Sequence, residues 1–175
     1  MYDTQIGKRD AELDLKSVER KLAFCALFGD ADVVLDGFRP GALERLGFGF
    51  GFVQSLAVRR GKGVVYAREN TYGVAVFCHF VCLVLAGKVK GVSWAQGKFL
   101  GLDEPVVPLL PNSDYQTGIV GAIAITHALY RRAHEGGSYN VDTSLNQFNN
   151  WYLDLGLQDP DTAATIKAKD PDFMV

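Results

Sequence analysis

Cysteine is scarce in this chain: among its 175 residues only Cys25, Cys78 and Cys82 occur. An odd number, with no pair of closely spaced pairs, argues against a disulfide framework and against a structural zinc site, and fits a reducing compartment. Cys78 and Cys82 stand four apart in an apolar run, where buried inert thiols are expected. An excess of one charge is missing too, since 18 Lys and Arg against 20 Asp and Glu leave a net charge of −2. That balance offers no broad footprint for nucleic acid. Long apolar runs are also lacking. The stretch VAVFCHFVCLVLAG, residues 74–87, falls short of the roughly 20 residues a spanning helix needs and contains His79. It reads as a buried helix or strand, and no membrane partner is expected. The polar N-terminus, MYDTQIGKRDAELD, has no signal-peptide pattern, so an intracellular setting, cytoplasm or organellar matrix, is expected. There is no internal repeat and no low-complexity tract.

What is present is ordinary for a globular protein: 48% apolar and 22% charged residues, in a chain long enough for one domain with a real core. Basic residues cluster at Arg59, Arg60 and Lys62, which suits a small phosphorylated ligand or merely a solvated surface.

Residues 11–15, AELDL, alternate in polarity like a short strand. Ser17 is placed to cap a helix that continues through Glu19, Leu22 and Cys25 to Phe28 and ends at Gly29 and Asp30. The run DVVLDGF has the β-branched, apolar character of a buried strand. Pro40 can open a short helix, ALERL, and Gly47 can close it. GVVYAR, residues 63–68, reads as another buried strand. Strand, helix, strand, short helix, strand implies an α/β fold with parallel pairing and helices covering the sheet. Further on, residues 88–105 are mixed and glycine-containing, and VVPLLPNSD reads as an extended path. Residues 117–134 carry an apolar stripe of helical spacing, with Gly136 and Gly137 as its stop. SYNVDTSL alternates as a strand. The tail after it is polar and weakly periodic, and is expected to fray.

Two places could carry chemistry. Asp114, in PNSDYQTG, lies at a helix start, facing free backbone N–H groups and a favourable dipole. It is either a helix N-cap or a working carboxylate in a cleft beyond the end of the sheet, where open α/β sheets bind ligands. Spacing leaves both open. The second is DGFRPGALERLGFG, residues 36–49, where a turn with Arg39, Pro40 and Gly41 opens a short helix holding Arg45. Such a start can receive a phosphate, or be an ordinary junction.

DADVVLDGFRPGALERLGFG resembles a signature of the class III CoA-transferase family, which includes formyl-CoA transferase, carnitine CoA-transferase and alpha-methylacyl-CoA racemase. ELDLKS, PNSDYQTGIVGAIAITHALYRRAHEGG and SYNVDTSL resemble three further segments in order and spacing, so that the likeness covers most of residues 7–150. It implies a partial Rossmann-like parallel sheet with flanking helices, part of the family's large domain, over residues 1–155, followed by a polar tail at 156–175. It implies that Asp114 is the catalytic aspartate. It further implies that Leu13 and Lys16 bind coenzyme A, that Gly37 and Phe38 lie against its adenosine, and that Arg45 faces a phosphate. Gly37 stands where asparagine is common.

The substrates implied are an acyl-CoA and a small carboxylic acid, with coenzyme A moved between them through the aspartyl carboxylate and no metal involved. The partner implied is a second copy in an interlocked homodimer. Family members are usually longer, so the chain reads as an internal fragment, or a truncated or divergent product. Two other readings follow. One is a racemase-type isomerase, in which the aspartate works opposite a histidine. The other is a non-catalytic fragment that binds coenzyme A or a partner chain. Residues 74–87 depart from the polar stretch, with its racemase histidine, that the family would have there.

Overall fold

The structure is a computed structural model and describes residues 6–71, 73, 92–106, 112–156 and 158–169. The apolar run at 74–87, with Cys78, His79 and Cys82, lies outside the described residues, as does most of VVPLLP.

Residues 11–15 are not a strand. Asp14 instead turns the chain into the first helix: its Oδ1 accepts the Lys16 N–H at 3.0 Å and its carbonyl accepts the Ser17 N–H at 3.1 Å. A short alternating run with no neighbouring strand among the described residues loses to such a local turn. Helix α1 (Val18–Asp30) follows, with Ser17 at its N-cap in extended conformation but making no side-chain cap. Strand β1 (Val33–Asp36) comes next, then the single turn α2 (Ala42–Arg45). Gly41 enters α2 at φ 76°, a left-handed conformation that favours glycine. Helix α3 (Phe50–Arg59), which the sequence reading did not foresee, leads to β2 (Val65–Asn70).

Residues 92–100 are helical (α4). Helix α5 (Asn112–Glu135) starts earlier than its apolar stripe suggested and stops at Gly136 and Gly137, both with positive φ. Strand β3 (Tyr139–Ser144) follows, then α6 (Leu145–Asp154), whose first turn is capped by Ser144 Oγ accepting the Gln147 N–H at 3.1 Å. The tail expected to fray contains α7 (Pro160–Lys169). Asp159 Oδ1 accepts the Thr162 N–H at 2.9 Å there, and Pro160 fits a first helical position.

The three strands form one parallel sheet in the order β1-β2-β3. Register puts Val34 beside Tyr66, and Asp36 beside Arg68 beside Asp142. Central β2 is the most buried, with Val65, Tyr66 and Ala67 at 0, 1 and 3% exposure. One face of β1 and β2 packs on Phe28, Leu43, Phe48, Val53 and Ala57 from α1 to α3. Rings of Phe24, Phe28, Phe48 and Phe52 meet there mostly edge to face, with centroids 4.8–6.1 Å apart. Such pairs add about 0.5–1.5 kcal/mol each beyond burial. The other face of β2 and β3 carries α5.

The amino edge of the sheet is latched by charge. Arg132, near the end of α5, donates to the carbonyls of Asp32 (3.2 Å) and Gly63 (3.1 Å) and pairs with the Asp32 carboxylate at 3.0 Å. Lys62 pairs with the same carboxylate at 2.7 Å. The Lys62 hydrogen bond foremost, with Arg132, holds the Asp32 carboxyl below its usual range. Gly63 permits the tight approach here, because a Cβ at that position would overlap the Gly137 carbonyl.

Candidate functional site at the carboxyl edge of the sheet

The two ends of α5 are fixed at opposite ends of the sheet. The end of α5 is pinned at the amino ends of β1 and β2 through Arg132. Its start is tied to α6, beyond the carboxyl end of β3, where Ser113 Oγ donates to Asn149 Oδ1 at 2.7 Å. The first turn of α5, with Asp114, therefore stands at the carboxyl edge, where parallel α/β sheets receive ligands.

Two hollows lie along that edge. The inner one, about 70 Å³, is lined by Asp36, Phe38, Pro40, Gly41, Glu44, Tyr66, Arg68 and Asn70. The outer one, about 390 Å³ and open, is lined by Leu35, Gly37, Glu69, Asn70, Thr71 and Leu145. They share Asn70 and meet at the turn after β1.

That turn is held from below. Asp36 is 8% exposed; its Oδ1 accepts the Phe38 N–H at 3.0 Å and its Oδ2 accepts the Tyr66 hydroxyl at 2.8 Å. Burial, reinforced by that hydrogen bond, pushes the Tyr66 phenol up, so it stays protonated and donating. Arg68 turns instead to β3 and grips Asp142 with two bonds, at 2.6 and 2.9 Å. The same carboxylate keeps the Arg68 guanidinium more strongly basic than usual. Its charge is thus already matched within the sheet.

The expected residues separate into three groups. Gly37 and Phe38 form the lip between the hollows, and Phe38 is 62% exposed, a large apolar ring held out to solvent. A Cβ on Gly37 would meet nothing within 4 Å, so the backbone does not require glycine there and asparagine would fit. Arg45 joins this group. Its Nη1 lies 3.3 Å from where a Cβ on Gly41 would be, so the guanidinium folds back beside the inner hollow. It is exposed and has no ion pair among the described residues, leaving its charge available to an anion. Asp114 is the second group. It is exposed, the third residue of α5 rather than a residue ahead of it, and has no hydrogen-bond or ion-pair partner among the described residues. It shares the edge with the hollows but lines neither. Leu13, half-buried, and Lys16, exposed, precede α1 and likewise line neither hollow.

The sequence reading did not single out Asp36, Tyr66, Asn70 or Ser113. Only Tyr66 carried a signal: a tyrosine in a fully buried strand needs a partner for its hydroxyl. Among the described residues no three His, Cys, Asp or Glu side chains gather as a metal site, and no helix is long and apolar enough to cross a membrane.

The model of CoA-transferase family III matches residues 3–165. An acetyl-coenzyme A transferase, nodX, from Hypoxylon pulicicidum is 44% identical over 143 residues, which is 81% of this chain and 24% of that protein. An acyl-CoA transferase of Gibberella moniliformis is 38% identical over 152 residues, 85% of this chain and 27% of that protein. The chain thus spans about a quarter of the length of these relatives. Among solved structures, the hypothetical protein Rv3272 of Mycobacterium tuberculosis superposes with a TM-score of 0.65 at 26% identity, over 84% of this chain and 40% of that one. A CAIB/BAIF family protein of Brucella suis has the same fold, with a TM-score of 0.65 at 23% identity over 84% of this chain and 38% of that one. A parallel sheet with hollows along its carboxyl edge, an apolar lip beside an exposed arginine, and a family match over nearly the whole chain lead to one assignment: this chain belongs to CoA-transferase family III.

Proposed function

We propose that this chain serves CoA transfer between an acyl-CoA and a carboxylic acid, with Asp114 as the nucleophile. The observation that carries this reading is an exposed carboxylate, unpaired among the described residues, in the first turn of a long helix at the carboxyl edge. A carboxylate tied up in an ion pair would be a poor nucleophile; this one is free to attack.

The chemistry runs in balanced steps. An Asp114 oxygen bonds to the thioester carbonyl carbon, the C–S bond breaks, and CoA leaves as the thiolate, giving a mixed anhydride. The thiolate then attacks the aspartyl carbonyl of that anhydride and expels the donor acid as a carboxylate, leaving an aspartyl-CoA thioester. The acceptor carboxylate attacks this thioester, the thiolate leaves again, and its return to the acceptor acyl carbon frees Asp114. Covalent catalysis of this kind divides one hard exchange into easier ones. The N–H groups of the first turn of α5, which have no intrahelical partners, suit the oxyanion that forms at each addition. Coenzyme A would lay its adenosine on the Gly37–Phe38 lip, with a phosphate against Arg45, whose planar fork matches phosphate oxygens. Leu13 and Lys16 would complete its binding, and a second copy of the chain would complete the working unit.

The racemase reading finds no support among the described histidines. His134 lies at the far end of α5, its Nδ1 2.9 Å from the Tyr130 carbonyl, and His127 is exposed at mid-helix.

Incubation with acetyl-CoA followed by hydroxylamine should convert Asp114 to a hydroxamate detectable by peptide mass spectrometry, and Asp114→Asn should abolish it. Coenzyme A binding without any adduct would instead support the non-catalytic reading.

A further inference from the structure

We propose that Ser113 and Asn149 form a positioning pair that fixes the Asp114 carboxylate relative to the carboxyl edge; this rests on the reading of Asp114 as nucleophile. The first turn of a helix is its least secured part, because its N–H groups lack intrahelical partners and it frays first. Asp114 has no partner of its own among the described residues, so its direction is set by the turn that carries it.

Among the described residues that turn has one side-chain tether. The Ser113 hydroxyl donates to Asn149 Oδ1 at 2.7 Å, and among the described residues this is the one side-chain hydrogen bond between α5 and α6. Its far end is firm. Asn149 is 2% exposed, α6 is capped by Ser144, and the Asn146 N–H donates to the Thr71 carbonyl at 3.0 Å. Thr71 lines the outer hollow. A continuous path therefore runs from the wall of that hollow through α6 to the residue beside Asp114.

The surroundings are not built for stability alone. Among the described residues Thr117, one turn behind Ser113 and 1% exposed, has no partner for its hydroxyl, and Asn146, 7% exposed, has none for its Oδ1. Unpaired buried polar atoms are costly, and a region optimised only for packing would replace them with apolar side chains. In this polar setting the satisfied pair is the one next to the nucleophile.

The test compares the unaltered chain with Ser113→Ala and with Ser113→Thr, which keeps the hydroxyl. Amide exchange is read by NMR at Thr117 and Gly118, whose N–H groups close the first turn on the carbonyls of Ser113 and Asp114 in α-helical geometry. The rate of Asp114 adduct formation with acetyl-CoA and the affinity for coenzyme A are measured in parallel. Ser113→Ala should speed exchange at both amides and slow adduct formation, each by about tenfold, with affinity held within about twofold and Ser113→Thr close to the unaltered chain. Unchanged exchange in Ser113→Ala would overturn the proposal. So would an affinity that falls in step with the adduct rate, or a threonine variant that behaves like alanine. If the unaltered chain forms no adduct, the nucleophile reading falls, and the exchange arm decides on its own. Acceleration in the alanine variant, reversed by threonine, supports the tether, and its absence refutes it.

Discussion

Replacing Tyr66 by Phe removes one oxygen from the centre of the molecule and tests how the edge turn is held. Tyr66 is 1% exposed and its hydroxyl reaches Asp36 Oδ2 at 2.8 Å, while Asp36 itself is 8% exposed. The ring and its packing survive the substitution. What is lost is a hydrogen bond to a carboxylate, worth about 1.5–3 kcal/mol, and among the described residues Asp36 keeps only the Phe38 N–H at 3.0 Å. Water entering the small adjoining hollow would recover part of this, so a loss near 2 kcal/mol at neutral pH is expected. For a chain of this size that lowers the melting temperature by about 4–8 °C.

The pH dependence adds a second signature. The folded phenol is raised above its usual range by burial and by Asp36, so its contribution is complete below the unfolded value near pH ~10 and is lost as pH rises further. Between pH 10 and 11 the unaltered chain should lose about 1 kcal/mol that the Phe variant does not. The gap between the two should therefore narrow at alkaline pH. Calorimetric or denaturant unfolding at pH 7 and pH 11 measures both quantities. Equal stability at pH 7, or a gap that fails to shrink at pH 11, would refute the account of how Asp36 is held.

Arg45→Ala should weaken coenzyme A binding by about tenfold in a calorimetric titration while leaving stability nearly unchanged, since the side chain has no ion pair among the described residues to lose. Raising salt should shrink that difference. Phe48→Ala should cost about 3–5 kcal/mol in denaturant unfolding, because Phe48 is 4% exposed and meets Phe24, Phe28 and Phe52.

Local signals explain what was legible in the sequence. The helix after Ser17, the strands at DVVLDGF, GVVYAR and SYNVDTSL, the proline- and glycine-bounded turn of α2 and the glycine stop of α5 all appear where residue type alone indicates them. The parallel sheet followed from their order. Helix α3 was hidden because Phe48, Phe50 and Phe52 recur at every second residue, a strand-like spacing, and its buried helical pair, Val53 and Ala57, comes only afterwards. Residues 11–15 had the alternation of a strand but no neighbour to pair with among the described residues. The tail held a start signal in Asp159 and Pro160 that its polarity obscured. At the site, Gly37, Phe38 and Arg45 came together because they are close in sequence. Asp36 with Tyr66 and Ser113 with Asn149 did not, because each pair depends on how separate elements register against one another.

The length of α5 has a mechanical consequence. Arg132 fixes one end to the sheet, and Asp114 lies about 27 Å away along the axis at the usual rise per residue. Over that length a tilt of about 5° would sweep the carboxylate through about 2 Å, where about 1 Å can cost a reacting group a hundredfold in rate, and the packing of α5 on β2 and β3 together with the Ser113–Asn149 bond is what opposes it. On the proposed role of Asp114, substitutions around Asp32 at the other end of α5 would alter reactivity, without touching substrate, to the extent that they shift the helix against those contacts.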